Sequence, residues 1–94
     1  MHMSEYITVD VEYGDDPDQI KLLTNLNLAP EGPESYADLQ EGDEGSPLAQ
    51  AMFGIEGLAA LDIEGSLLLV RRDAEAEWPA LIDDITEALK DFFL

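Results

Sequence analysis

No cysteine occurs in the 94 residues. That excludes disulfides, thiolate metal ligands, an iron–sulfur cluster held by this chain and a cysteine nucleophile. Histidine is nearly absent as well. His2 is the only one, and in a terminal Met-His-Met it reads as a mobile tail residue with no catalytic or ligand role. A Ser-His-Asp triad or a histidine-built zinc site is therefore out of reach within one chain. Positive charge is scarce too. Lys21, Lys90, Arg71 and Arg72 face 22 acids, for a net charge of −18. Such a surface repels nucleic acid, whose phosphates must be neutralised by Lys and Arg, and it repels anionic membranes. No apolar run approaches the roughly 18 residues that span a bilayer. The N-terminus has no basic start and no apolar core, so no secretory signal is read there and the cytoplasm is the expected location.

What is present is an ordinary globular share of apolar residues, 46%. Residues 1–94 are long enough for one small domain with one modest core, burying roughly 60–65% of the unfolded surface. The acidity has three readings: solubility in a high-salt cell, mimicry of DNA or docking to a basic partner, or plain solvation. The charges run through every segment, which favours a general solvation cause over one docking patch.

Residues 6–13, YITVDVEY, alternate with period two, placing Ile7, Val9, Val11 and Tyr13 on one face of a strand. GDDPDQ (14–19) breaks that pattern as a turn. Residues 20–26 read as a second strand, antiparallel to the first because the connection is short. The stretch 27–45 is rich in Pro, Gly and acids and reads as a long loop, with one short strand around 35–39. Ser46 is placed to cap a helix that begins at Pro47 and carries Leu48, Ala51, Met52 and Ile55 on one stripe. Gly54 or Gly57 supplies the left-handed exit. Strands at 58–63 and 66–72 flank Glu64-Gly65, a hairpin signal. The second of these is apolar enough to be central, covered on at least one face. In the last segment Trp78, Leu81, Ile82, Ile85, Leu89 and Phe92 recur at helical spacing, with Pro79 in the first turn. Asp83, Asp84, Glu87 and Asp91 form the wet face. The expected fold class is α+β: a two-layer sandwich with an antiparallel sheet of four to five strands and two helices on one face, in the order β-β-(β)-α-β-β-α.

Chemistry-bearing groupings are weak. Asp15, Asp16 and Asp18 lack the spacing of a twelve-residue calcium loop and read as a solvated turn. Asp83, Asp84 and Glu87 read as a solvated helix face. Gly54, Gly57 and Gly65 have no adjacent lysine and make no phosphate loop. Arg71 and Arg72 read as partners for nearby carboxylates, and Trp78 as a core anchor. No catalytic, cofactor-binding or metal residue is assigned, and no cofactor is expected.

Three segments in combination, SPLAQAMFGIEGL (46–58), LDIEGSLLLVRR (61–72) and AEWPALIDDITEALKDFF (76–93), closely resemble the N-terminal domain of the Nfu/NifU-like iron–sulfur scaffold proteins. Upstream, the turn Asp16-Pro17-Asp18 followed by Ile20-Lys21-Leu22-Leu23 stands where that domain has a Pro-Asn-Ser-Leu-Lys-Phe element. Gly14-Asp15-Asp16 departs from the family's Thr-Pro-Asn. The resemblance implies a stand-alone, non-catalytic module linked to iron–sulfur cluster assembly, acting on assembly factors or client proteins. In the family a Cys-x-x-Cys motif of a separate C-terminal domain holds the cluster, and these residues contain none. An acidic DNA mimic or inhibitor of a basic partner protein is the alternative. The loop 27–45 and the edge at 6–13 are the candidate contact surfaces, with a monomer as the default state.

Overall fold

Two β-hairpins pair through their inner strands. The computed structural model describes residues 7–94, so His2 and Tyr6 lie outside the described residues. The first hairpin joins β1 (Val9–Tyr13) to β2 (Gln19–Thr24), and the second joins β4 (Leu58–Glu64) to β5 (Leu67–Arg72). Pairing of β2 with β5 and of β3 (Glu34–Tyr36) with β4 completes a five-stranded antiparallel sheet in the order β1-β2-β5-β4-β3. Three helices complete the chain: α1 (Leu39–Asp43), α2 (Pro47–Phe53) and α3 (Trp78–Phe93).

Register decides which side chains are inside. Ile20 lies opposite Val70 and Leu22 opposite Leu68, while Leu61 and Ile63 of β4 meet the same two β5 residues from the other side. All six therefore point to one face, and each is at most 1% exposed. That face joins Leu48 and Met52 of α2 and Leu81, Ile85 and Leu89 of α3 in one core. Leu23, Leu67 and Leu69 point the other way and are only half-buried. The expected sandwich, with helices on one side, is the observed one, and β5 is the central strand.

Local chemistry explains most of the boundaries. Pro47 opens α2 while the Ser46 hydroxyl accepts from the Ala49 N–H at 3.2 Å and donates to Glu34 Oε1 at 2.6 Å. Ser46→Ala removes both, and a loss of about 1 kcal/mol is expected. Urea denaturation would show it as a lower midpoint at unchanged slope, with Ser46→Thr near the natural value.

Three expectations need correction and one open alternative is resolved. The second hairpin turns on Gly65-Ser66, not Glu64-Gly65, because Glu64 still pairs with Leu67. Gly65 takes φ +61° at the first central position, which a glycine tolerates and a glutamate does not. Of the two glycines offered for a left-handed exit, Gly54 caps α2 in the right-handed region at φ −72°, and Gly57, at φ +100°, is the left-handed one, placed at the turn into β4. The short strand lies at Glu34–Tyr36, and the loop after it contains α1, which composition concealed. On α2 the buried residues are Leu48, Ala49, Met52 and Phe53, with Ala51 and Ile55 half-buried, because α1 packs on the Phe53 flank.

Candidate functional site

The acid-rich turn between β1 and β2 is the best-organised polar region. Asp16 Oδ1 accepts from the Asp18 N–H at 2.9 Å, an Asx-type turn around Pro17. Arg71 Nη2 reaches Asp16 Oδ2 at 2.8 Å, and Arg72 Nε reaches Asp18 Oδ1 at 3.1 Å. Both arginines sit at the end of β5, beside β2 in the sheet, so the pairing of the two hairpins brings them to this turn. Trp78, the first residue of α3, donates its indole N–H to the Pro17 carbonyl at 2.9 Å. The Arg72 guanidinium lies 5.4 Å from the centre of the Trp78 ring and also donates to the Ala76 carbonyl. Turn, strand end and helix start are thus clamped together, and the two arginines are partners for nearby carboxylates, as expected.

The clamp has one electrostatic consequence. The Asp18 backbone N–H, and after it the Arg71 guanidinium, hold the Asp16 carboxyl below its usual value of 3.8. A depressed folded-state pKa means that the ionised form stabilises the fold above the unfolded pKa, and that this is lost as pH falls through the folded pKa. Asp16→Asn keeps an oxygen for the Asp18 N–H but removes the charge. The stability difference between the natural chain and Asp16→Asn should therefore be constant near neutrality and shrink as pH drops below 3.8. Thermal unfolding at a series of pH values checks this, and a difference that grows in acid contradicts it.

Elsewhere the described residues gather little chemistry. They hold no group of three His, Cys, Asp or Glu placed to bind a metal ion. No polar or charged residue among them is buried, and no buried side-chain polar atom lacks a partner. Asp83, Asp84 and Glu87 stay exposed on α3, with Lys90 Nζ 3.9 Å from Glu87. Trp78 is 8% exposed, an anchor of the core.

Among the surface hollows, two flank the ends of α3. A cleft of about 610 Å³ at the start of α3 is walled by Glu56, Asp73, Glu75, Glu77 and Asp84. A groove of about 420 Å³ at the other end of α3 is floored by Leu28, Pro30, Pro47, Leu48, Phe92 and Phe93. Nothing in the sequence pattern separated Phe92 from the buried stripe on which it lies. Of the contact surfaces expected from sequence, the 27–45 segment contributes Leu28 and Pro30 to this groove, and β1 is an edge strand. No described helix is long and apolar enough to cross a membrane.

Comparison with known proteins agrees with this architecture. Residues 9–94 match the family described as scaffold protein Nfu/NifU N terminal. Two curated relatives are named NFU1 iron–sulfur cluster scaffold homolog, mitochondrial. The one from Drosophila ananassae is 27% identical over 79 residues, and the one from Drosophila persimilis 28% identical over 79. In both cases the match covers 82% of this chain but only 27% of the relative, so the chain spans about a quarter of their length. In three dimensions the chain resembles a NifU-like protein from Saccharomyces cerevisiae, with a TM-score of 0.74 at 20% identity, covering 97% of this chain and 83% of that one. Protein SAV1430 from Staphylococcus aureus gives a TM-score of 0.69 at 10% identity, over 86% of this chain and 96% of that one. At those identities the two structures speak to the fold alone. The match over 9–94 carries the assignment: this chain belongs to the Nfu/NifU scaffold N-terminal family, the domain associated with iron–sulfur cluster scaffold proteins.

Proposed function

We propose that this domain is a non-catalytic accessory module that works by protein–protein contact in iron–sulfur cluster assembly. The observation carrying the reading is the family match along 9–94 in a sequence without cysteine. The family is that of cluster scaffolds, yet the donor set here does not fit a cluster. It offers no thiolate, and no grouping of other metal-ligating side chains among the described residues. The cluster is cargo for other chains or domains, and the contribution left to residues 1–94 as one unit is recognition. The arginine–carboxylate pairs support this reading, since they brace the fold and leave no arranged acid–base or nucleophilic group in their neighbourhood. Assembly factors and cluster-accepting clients are the partner class. The cytoplasm remains the proposed location, to be set by microscopy against the mitochondrial naming of the Drosophila relatives.

Affinity capture from the native cell, with the tagged chain as bait and cross-linking before lysis, tests the proposal. Enrichment of cluster scaffolds, cysteine desulfurase-type suppliers or cluster-bearing clients is expected. Recovery of none of these, from a bait that is folded by circular dichroism, would overturn it.

A further inference from the structure

The apolar stripe of α3 outruns the sheet that buries it. Leu81, Ile85 and Leu89 are 2% exposed or less, but Phe92, next on the same stripe, is 42% exposed and Phe93 is 37% exposed. Their rings meet edge to face with centroids 5.0 Å apart, and both line a groove with the start of α2. Together with Leu28, Pro30, Pro47 and Leu48 they line the 420 Å³ groove. Its charged walls are Glu31 and Glu34, and no cation lines it.

We propose that this groove docks a cationic, apolar polypeptide segment of a partner protein. The inference rests on the reading above that the domain acts by protein contact, and it specifies the surface and the chemistry of what binds. A floor of aromatic, leucine and proline side chains takes apolar anchors spaced along one helix face or extended segment. Carboxylates at the rim, with no competing cation, select Lys or Arg heads whose alkyl stems lie along the apolar floor. A second copy of this chain would bring another −18 of charge to the same place, so self-association is the disfavoured occupant.

The test titrates the ¹⁵N-labelled natural chain with three short synthetic helices: one of Leu and Lys, one of Ser and Lys, and one of Leu and Glu. The same titrations are run on Phe92→Ser/Phe93→Ser and on Glu31→Lys. These positions are exposed, so the fold survives, whereas Glu34 is avoided because it holds Ser46. The Leu/Lys helix should shift amides at Leu28, Glu31, Leu48, Phe92 and Phe93. Each variant should weaken it about tenfold or more, and the other two helices should bind far less. Shifts spread evenly over the acidic surface, equal binding of the Ser/Lys helix, or indifference to the phenylalanine change overturns the inference. So does sedimentation showing a dimer that the double variant dissociates.

Running the double variant through the capture experiment separates the two proposals. If it still recovers assembly proteins after losing the peptide, the groove inference fails and the accessory reading stands. If the natural chain binds the Leu/Lys helix in the groove but captures no assembly protein, the accessory reading is the one that fails.

Discussion

Trp78→Ala is expected to cost about 3–5 kcal/mol, the range for truncating a large buried aromatic. A natural domain holds only about 5–15 kcal/mol in all, so this one change removes a large share of the stability. At about 4–8 °C per kcal/mol for a domain of this size, the melting temperature should fall well beyond experimental scatter. Three contributions vanish together. The ring leaves the core, the hydrogen bond to the Pro17 carbonyl is lost, and the Arg72 guanidinium loses the aromatic surface beside it. Trp78→Phe separates them. It keeps most of the buried ring and loses the N–H, and because Pro17 is an exposed residue its carbonyl can take water instead, so about 1 kcal/mol is expected. Guanidinium denaturation gives both values. Equal costs for the two variants would mean that burial is not the main term. Hydrogen exchange at Asp18 and Gln19 should quicken in Trp78→Ala, because the turn is tied to α3 through that indole.

Gly42→Ala should be destabilising by about 1–3 kcal/mol, the cost of overpacking a filled site. In an exposed helix the same change ordinarily stabilises by about 1 kcal/mol, so the sign itself is the measurement. Gly42 is buried in α1, and a Cβ there would overlap the ring of Phe53. Phe53 cannot easily retreat: it is part of the core and packs edge to face on Tyr36, with centroids 6.2 Å apart. The expected response is undocking of the short α1 with partial exposure of Phe53. Thermal unfolding together with loss of amide protection across 39–43 would show it, and a raised melting temperature would refute the packing argument.

In α1 the local sequence signal and the tertiary contact are separable. Asp38 Oδ1 accepts from the Glu41 N–H at 2.9 Å, while Glu41 Oε1 reaches back to the Ala37 N–H at 2.8 Å. That is close to a capping-box arrangement, and Asp38-x-x-Glu41 was the available signal. It was masked because five residues containing a glycine make a poor helix on propensity alone. Beside those caps, α1 is held by packing on α2, where Gly42 lies against Phe53, and no local rule supplies that contact. The turn Gly65-Ser66 failed by a single residue for a related reason. A glycine in a two-residue turn can take either central position, and only strand pairing decides which. For the groove, helical spacing put Phe92 in the buried stripe, but how far the sheet extends beneath α3 is not written in that spacing.

By itself the sequence determined the periodicities: alternation for β1, continuous apolar character for β5, and the stripe and proline-led start of α3. Those patterns are local, set by the two-residue and 3.6-residue repeats that bury one side of an element. It also determined, by lacking cysteine, that these residues offer no thiolate ligand. Tertiary structure alone decided that β2 pairs with β5, because antiparallel partners far apart in sequence are chosen by which faces close one core. From that pairing the clamp at the first turn follows. It carries Arg71 and Arg72 to the Asp16-Pro17-Asp18 turn, on which the Trp78 indole is seated.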